Sequence, residues 1–151
     1  MAKFNFIFDK FKLFDMIGYI PHIGQKEVHK CNARYKIGRC GRRNGKTVLQ
    51  PLDVIDKVVI PGSKGWIMGP DYETGERSFR IFWDIMFGGD LFPNSIMKKF
   101  VHRFEKKVYN PTQGQMHLSI IWKYDDAILH PELNLSPSPS QIIVRSANSP
   151  A

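Results

Sequence analysis

The sequence predicts an α/β fold, a mainly parallel sheet with flanking helices, because short apolar runs alternate with amphipathic helical segments. The apolar run at 65–69 is short and ends in a turn signal, which is typical of a buried strand. The segment Tyr72 to Phe87 follows it and carries apolar residues on one side at helical spacing. In a sheet of this class the ligand site lies beyond the carboxyl ends of the strands.

The elements upstream continue this alternation. Phe8 to Ile17 has apolar residues at helical spacing, and Gln25 to Tyr35 is predicted as a short helix that leads into a strand from Tyr35 to Cys40. A loop then precedes a helix from Gly45 to Val59, in which Pro51 must lie in the first turns or bend the axis. The order is therefore helix, strand, loop and helix.

Beyond residue 95 the pattern is less regular. Strands are predicted from Met116 to Tyr124 and from Gln141 to Arg145, next to turn clusters at 110–114 and 136–140. The serine-proline tract at 136–140 is short and flanked by strand-like residues, so we expect a surface loop rather than a linker.

Composition sets the class of protein. The 151 residues are 42% hydrophobic, enough for one globular domain, and 22 Lys and Arg against 14 Asp and Glu give a net charge of +8. Such a charge favours an acidic partner, such as nucleic acid, nucleotide or an anionic membrane, or else forms a solvated positive face.

Cys31 and Cys40 are too few for a disulfide framework or a four-ligand zinc site. No apolar stretch reaches the length of a membrane span. We expect a soluble, unexported protein of a reducing compartment.

The segment 41–47 carries the most specific chemistry. It places a glycine-containing loop between a predicted strand and a predicted helix, and it reads Gly41-Arg42-Arg43-Asn44-Gly45-Lys46-Thr47. Backbone N–H groups of such a loop and the positive end of the helix favour a phosphate, Lys46 can reach the β- and γ-phosphates of ATP, and Thr47 can ligate Mg²⁺. The usual phosphate-loop pattern has glycine where this chain has Cys40. The sequence nevertheless predicts a P-loop NTPase fold.

The chain resembles terminase large subunits, the DNA-packaging ATPases of phages. The resemblance is specific from Pro21 through the arginine-rich phosphate loop, since that family has a deviant loop of this kind. It continues through the second strand at 65–72 and returns at 141–150, which is similar to the segment before the family's acidic strand. Between Asn94 and Pro139 the likeness is poor, and no residue role is carried over from there.

The resemblance implies roles for three further side chains. Gln25 lies 21 residues before Lys46, in the place of the glutamine that contacts adenine in the family; the alternative is a solvated helix residue. Arg42 best matches the loop arginine that stabilises charge on the γ-phosphate, with Arg43 as the alternative. The cofactor-binding set is therefore Gln25 with loop residues Gly41, Arg43, Asn44, Gly45, Lys46 and Thr47, and the catalytic pair is Lys46 and Arg42.

An apolar strand that ends in Asp, followed by Glu, is the part of a P-loop ATPase that the sequence lacks. The best candidate, Ile120 to Asp126, is interrupted by Lys123 and is followed by no Glu. In terminases this strand comes shortly after the segment that matches 141–150. We therefore expect a lead-in helix over 1–20 and the N-terminal portion of an ATPase domain over 21–151, cut before the acidic strand and inactive alone.

The resemblance also implies the setting of the parent protein. It would hydrolyse ATP with Mg²⁺ and translocate double-stranded DNA into a capsid. Its partners would be a portal protein, a small terminase subunit and sister copies in a ring, and it would carry a nuclease domain. It would work in the host cytoplasm, transiently docked on the procapsid, without a membrane.

Two alternatives stay open, one a related enzyme and the other a protein of a different class. One is another P-loop DNA-dependent ATPase, such as a helicase, which would also have an upstream glutamine and a phosphate loop. The other is a non-catalytic nucleic-acid-binding domain that stacks bases on Trp66, Trp83 and Trp122. Because these tryptophans lie in apolar runs, core packing is the better explanation of all three.

Overall fold

A computed structural model describes residues 9–39, 41–43, 45–107 and 116–147. Within these ranges the helices are α1 (Lys10–Ile17), α2 (Ile23–Lys30), α3 (Lys46–Asp53), α4 (Ile55–Val58), α5 (Tyr72–Phe87) and α6 (Asp126–Leu129). The strands are β1 (Lys64–Gly69), β2 (Val101–Lys107), β3 (Met116–Trp122) and β4 (Ser140–Ser146). Short 3₁₀ helices span Met97–Phe100 and Pro131–Leu133.

The four strands form one sheet in the order β1-β4-β3-β2. β1 and β4 are parallel, with Trp66 opposite Ile143, whereas β3 is antiparallel to both β4 and β2. The predicted α/β fold with flanking helices is confirmed. The sheet is a mixed sheet, because β3 forms antiparallel pairings with β4 and with β2 beside the parallel pair of β1 and β4.

Helix α5 covers one face of the sheet at very short range. Asp71 caps its first turn by accepting a hydrogen bond from the Thr74 backbone at 2.6 Å, and Gly75 follows in the same turn. A Cβ on Gly75 would lie 2.6 Å from a methyl carbon of Val144 on β4. A glycine inside this helix therefore allows it to approach the strand closely.

The core lies between this face of the sheet and the helices. On β3 the side chains of Met116, Leu118, Ile120 and Trp122 are almost completely buried, and the alternate side chains are only half-buried. Helix α1 contributes Leu13, Phe14 and Ile17 to the same core, and α5 contributes Phe79, Phe82, Ile85 and Met86. The lead-in helix thus packs with the sheet-bearing part of the chain.

Only part of the tryptophan prediction is correct. Trp122 is buried and donates a hydrogen bond to Ser140 Oγ at 2.9 Å, and Trp83 is partly buried against the core. Trp66 is 68% exposed, so its predicted core position is wrong. It lies on the outermost strand β1 and pairs with Ile143, which places it on the face of the sheet opposite α5.

Most predicted elements are present, with two differences near the phosphate loop. Helix α2 ends at Lys30 rather than at Tyr35, and residues 35–39 form no strand; Cys40 lies outside the described residues. The predicted strand at 35–39 is wrong. A strand needs a hydrogen-bonding neighbour, and no described strand pairs with this segment. The side chain of Ile37 is accordingly 98% exposed. The predicted helix from Gly45 to Val59 is interrupted at Val54, three residues after Pro51, and forms α3 and α4.

The irregular C-terminal third contains one strand that the pattern did not predict. This strand is β2, in which only Val101 is buried. The loop predicted at 136–140 is exposed up to Ser138, and β4 begins at Ser140. The turn predicted at 110–114 lies outside the described residues. Among the helices described, none combines the length and apolar character needed to span a bilayer.

A candidate phosphate-binding loop and its supporting side chains

The candidate phosphate loop precedes α3 and contains two residues in the left-handed region. Arg43 has φ +61° and Gly45 has φ +67°; Asn44 lies outside the described residues. Left-handed backbone is unusual for arginine and tends to occur where a loop is shaped for a function. Turns of this kind direct backbone N–H groups towards one point and form concave anion sites.

Helix α3 starts directly from this loop. Gly45 is its N-cap, the carbonyl of Gly45 accepts from the Val48 and Leu49 backbones at 3.1 and 2.9 Å, and no side chain caps the helix. The first-turn N–H groups of a helix have no partner within the helix and carry its positive partial charge. Lys46 and Thr47 are exposed at this end. The loop, the helix start and these two side chains together suit the phosphates of a nucleotide.

Gln25 is brought against the loop by α2. It is 8% exposed, its Oε1 accepts from the His22 backbone at 3.1 Å, and its own backbone N–H donates to His22 Nδ1 at 3.4 Å. A Cβ on Gly45 would lie 2.7 Å from Gln25 Nε2. The geometry therefore brings together the predicted adenine-contacting residue and the phosphate loop, and it gives Gln25 a helix-capping bond that the sequence analysis did not foresee.

The other predicted loop residues differ in their surroundings. Gly41, Arg42 and Arg43 are exposed, and a Cβ on Gly41 would meet nothing within 4 Å. Gly41 thus has room for a side chain, unlike Gly45. The assignment of the γ-phosphate role to Arg42 stays a prediction, since both arginine side chains are open to solvent.

Asp53, at the end of α3, is a supporting residue that the sequence analysis missed. Its Oδ1 accepts from Lys10 at 3.0 Å and from His29 Nδ1 at 3.1 Å, and Lys36 contacts both oxygens at 3.0 and 2.8 Å. Lys36 also donates to the Val28 carbonyl at 3.0 Å. One carboxylate thus connects α1, α2 and the segment before the phosphate loop to α3. No motif marks such a cluster, because its members are far apart in sequence.

The protonation of the cluster follows from its contacts. Burial raises the pKa of Asp53, but hydrogen bonds from His29, Lys36 and Lys10 outweigh it and hold that pKa well below its usual range. With Asp53 charged, His29 donates through Nδ1, and its Nε2 lies 3.3 Å from the Tyr19 hydroxyl. Burial raises the pKa of Tyr19 to about 12, so this hydroxyl keeps its proton at neutral pH.

A cleft of about 380 Å³ runs from the start of α3 to the outer edge of β1. Lys46, Leu49 and Asp53 line it from α3, Lys36 and Gly38 from the preceding segment, and Trp66, Ile67 and Met68 from β1. The phosphate loop therefore lies near the carboxyl end of a parallel strand, as expected for this fold class.

The candidate acidic strand at Ile120 to Asp126 has a structural role. β3 ends at Trp122, and Asp125 caps α6: its oxygens accept from the Ala127 and Ser138 backbones at 3.0 and 2.8 Å. These bonds occupy the carboxylate. Across the described residues, no group of three or more His, Cys, Asp or Glu could hold a metal ion. The role of Thr47 as a Mg²⁺ ligand stays a prediction.

The chain is similar in sequence to terminase large subunits of two phages. Terminase large subunits of Thermus phage G20c and Thermus virus P23-45 are each 28% identical to this chain over 109 residues, which cover 66% of the chain. The resemblance to terminase large subunits is confirmed. No protein-family model matches the chain.

Solved structures extend the similarity to the fold. The large terminase ATPase domain of Thermus phage P74-26 matches 88% of this chain with a TM-score of 0.56 at 18% identity, and a mutant of that domain matches with a TM-score of 0.57. The chain has the fold of part of a terminase ATPase domain. It spans 22% of the length of the curated terminase subunits and 47% of the solved ATPase domain.

Proposed function

We propose that this chain is the ATP-binding part of a DNA-packaging motor ATPase, a terminase large subunit. The observation that supports this most directly is the phosphate loop, in which left-handed Gly45 starts α3 and leaves Lys46 and Thr47 exposed at its N-terminus. Similarity to terminase subunits in sequence and to a terminase ATPase domain in fold selects this function among those of P-loop proteins.

The proposed chemistry is hydrolysis of ATP. Lys46 would hold the β- and γ-phosphates with the N–H groups of the first turn of α3, and the Thr47 hydroxyl would ligate Mg²⁺. A bound Mg²⁺ would supply positive charge next to the phosphate oxygens. Arg42 would stabilise that charge further, and Gln25 would contact the adenine from α2. The Asp53 cluster would keep α2 and α3 in the relative position that these contacts require.

The proposed role includes the wider assembly of the parent protein. ATP hydrolysis would drive translocation of double-stranded DNA into a capsid, with a portal protein, a small terminase subunit and sister copies in a ring as partners. The parent would also carry a nuclease domain and act in the host cytoplasm on the procapsid. The acidic residue that holds Mg²⁺ and the glutamate that orients water would come from outside the described residues in this proposal, which is consistent with the use of Asp125 as a helix cap.

The test is replacement of Lys46 by alanine in the intact protein. The substitution removes the positive charge that would lie beside the phosphates. It should lower ATP turnover at least about a hundredfold, by analogy with removal of a transition-state donor. Lys57→Ala is the matched control, because Lys57 is an exposed lysine on α4 whose nearest carboxylate is that of Asp56. Normal ATP hydrolysis by Lys46→Ala would falsify the proposed function.

A further inference from the structure

The edge strand β2 and the 3₁₀ turn before it form a strongly basic surface, which we call the β2 ridge. Between residues 98 and 107 there are five Lys and Arg side chains and one carboxylate, a net charge of +4. This is half of the net charge of the whole chain, in ten of its residues. The ridge consists of Lys98, Lys99, Arg103, Lys106 and Lys107.

The cations of the ridge are open to solvent. Every residue of β2 after Val101 is exposed, as are Lys98 and Lys99. In the described part of the chain none of the five forms an ion pair within 4 Å, and the one nearby carboxylate, Glu105, faces His117 at 3.9 Å. Their charge is therefore available to an external anion.

A group of aromatic rings supports one side of the ridge. Trp83 and Phe87 of α5 lie 5.6 and 4.6 Å from the ring of Phe104 on β2, measured between centroids. The Lys106 ammonium lies 3.9 Å above the Trp83 ring. This cation–π contact holds Lys106 in place, so less side-chain entropy would be lost when Lys106 binds an anion.

Protection of a sheet edge is the simplest alternative explanation of these charges. Edge strands often carry lysine, which prevents pairing with other chains. That purpose does not require cations in the preceding turn, nor a lysine ordered over a tryptophan. The extent of the charge and the aromatic support of Lys106 favour a binding surface.

The form of the ridge indicates the kind of anion. Side chains alternate along a strand, so Arg103 and Lys107 project to one side and Lys106 to the other, over a strand of roughly 23 Å. An extended row of cations fits a polyanion rather than a single phosphate. Single-strand binders present several open rings for base stacking, whereas Phe104, at 44%, is the one well-exposed ring of this group. The surface is therefore suited to a phosphate backbone.

We propose that the β2 ridge is the surface through which this protein contacts the phosphate backbone of double-stranded DNA. The choice of DNA as the polyanion rests on the proposed function. The contact is independent of sequence, because the ridge offers charge and few groups that could read bases.

The experiment compares two double variants of the intact protein, each of which removes two positive charges. Arg103→Ala with Lys107→Ala alters the ridge, and Lys57→Ala with Lys64→Ala alters exposed lysines elsewhere. Affinity for a short DNA duplex is measured by fluorescence anisotropy over a series of salt concentrations. The ridge variant should bind on the order of tenfold more weakly, and its slope of log affinity against log salt should fall by roughly two, whereas the control should change little.

Two additional measurements separate this proposal from the ATPase proposal. Hydrolysis of ATP without DNA should be equal in both variants, and Arg103→Lys with Lys107→Arg should keep the affinity for the duplex. Equal duplex affinity of the ridge and control variants would overturn the ridge as the contact while leaving the ATPase proposal intact. A protein that hydrolyses ATP but binds single-stranded RNA in place of duplex DNA would also overturn it.

Discussion

The amide nitrogen of Gln25 lies against Gly45, so that a Cβ on the glycine would be only 2.7 Å from it. Gly45 also has φ +67°, a backbone conformation that residues with a Cβ rarely adopt. Two independent constraints thus require glycine at the last loop position before Lys46. Through this contact the position of α2 and the shape of the phosphate loop depend on each other.

Gly45→Ala is therefore expected to damage the loop. The left-handed conformation would cost about 1 kcal/mol or more, and the buried Gln25 amide would have to move. We expect a lower melting temperature and weaker ATP binding, measured by thermal unfolding and by titration with a fluorescent ATP analogue. Gly41→Ala is the control, since a Cβ there would meet nothing within 4 Å. Equal effects of the two changes would show that the Gln25 contact is unimportant.

Gln25 itself can be tested for two different roles. If it contacts adenine, Gln25→Ala should lower affinity for ATP but not for GTP, and the ratio of the two affinities should change roughly tenfold, the value of one good hydrogen bond. If its role is confined to the bond with the His22 backbone, the variant should be less stable and keep that ratio. Competition binding with both nucleotides distinguishes the outcomes.

We expect substitutions of the two loop arginines to have different effects, because the backbone conformations of the two residues differ. Arg42→Ala should retain ATP binding and reduce turnover on the order of a thousandfold, as expected for an arginine that stabilises the transition state. Arg43 has φ +61°, so Arg43→Gly should relieve backbone strain and keep turnover near normal. Single-turnover hydrolysis, with the protein in excess over ATP, measures the hydrolysis rate of both variants. The reverse result would assign the transition-state role to Arg43.

Local patterns in the sequence were sufficient for the elements that carry their own signal. Helix α5 matches its predicted bounds because apolar spacing, the Asp71 cap and the glycines after Phe87 agree with one another. The phosphate loop was predicted for the same reason, since Gly45, Lys46 and Thr47 are adjacent in the chain. Strand β2 was missed because almost all of its residues are exposed, so it has no alternation of buried and open positions.

Features that depend on distant parts of the chain could not be predicted. The segment 35–39 has strand-like residues, but strand formation depends on a neighbouring strand. Trp66 lies in an apolar run yet is exposed, because its exposure is decided by what covers that face of β1. The Asp53 cluster joins residues as far as 43 positions apart, and such contacts leave no periodic trace in the sequence.

Asp53 gives a prediction for the dependence of stability on pH. Its pKa in the folded protein is lowered, despite burial, by hydrogen bonds from His29, Lys36 and Lys10. The stabilisation is therefore fully present above the pKa of the unfolded chain, near 3.8, and is lost as pH falls through the lower pKa of the folded state. Because the side chain keeps 16% of its exposure, we expect Asp53→Asn to cost roughly 2 kcal/mol at pH 7, less than the 3–5 kcal/mol of a fully buried pair.

The measurement is urea unfolding of wild type and Asp53→Asn between pH 7 and pH 2. The difference in unfolding free energy should be constant down to about pH 5 and then shrink progressively towards pH 2, because the unfolded wild-type chain takes up a proton at Asp53 while the folded protein keeps the carboxylate charged. Asp15→Asn, an exposed position on α1, is the control and should show a small difference throughout. The variant should also bind ATP more weakly at pH 7, since Asp53 connects α2, with Gln25, to α3, with Lys46. A constant difference down to pH 2 would mean that Asp53 acts through shape rather than charge, and normal ATP affinity would mean that the cluster does not position the nucleotide site.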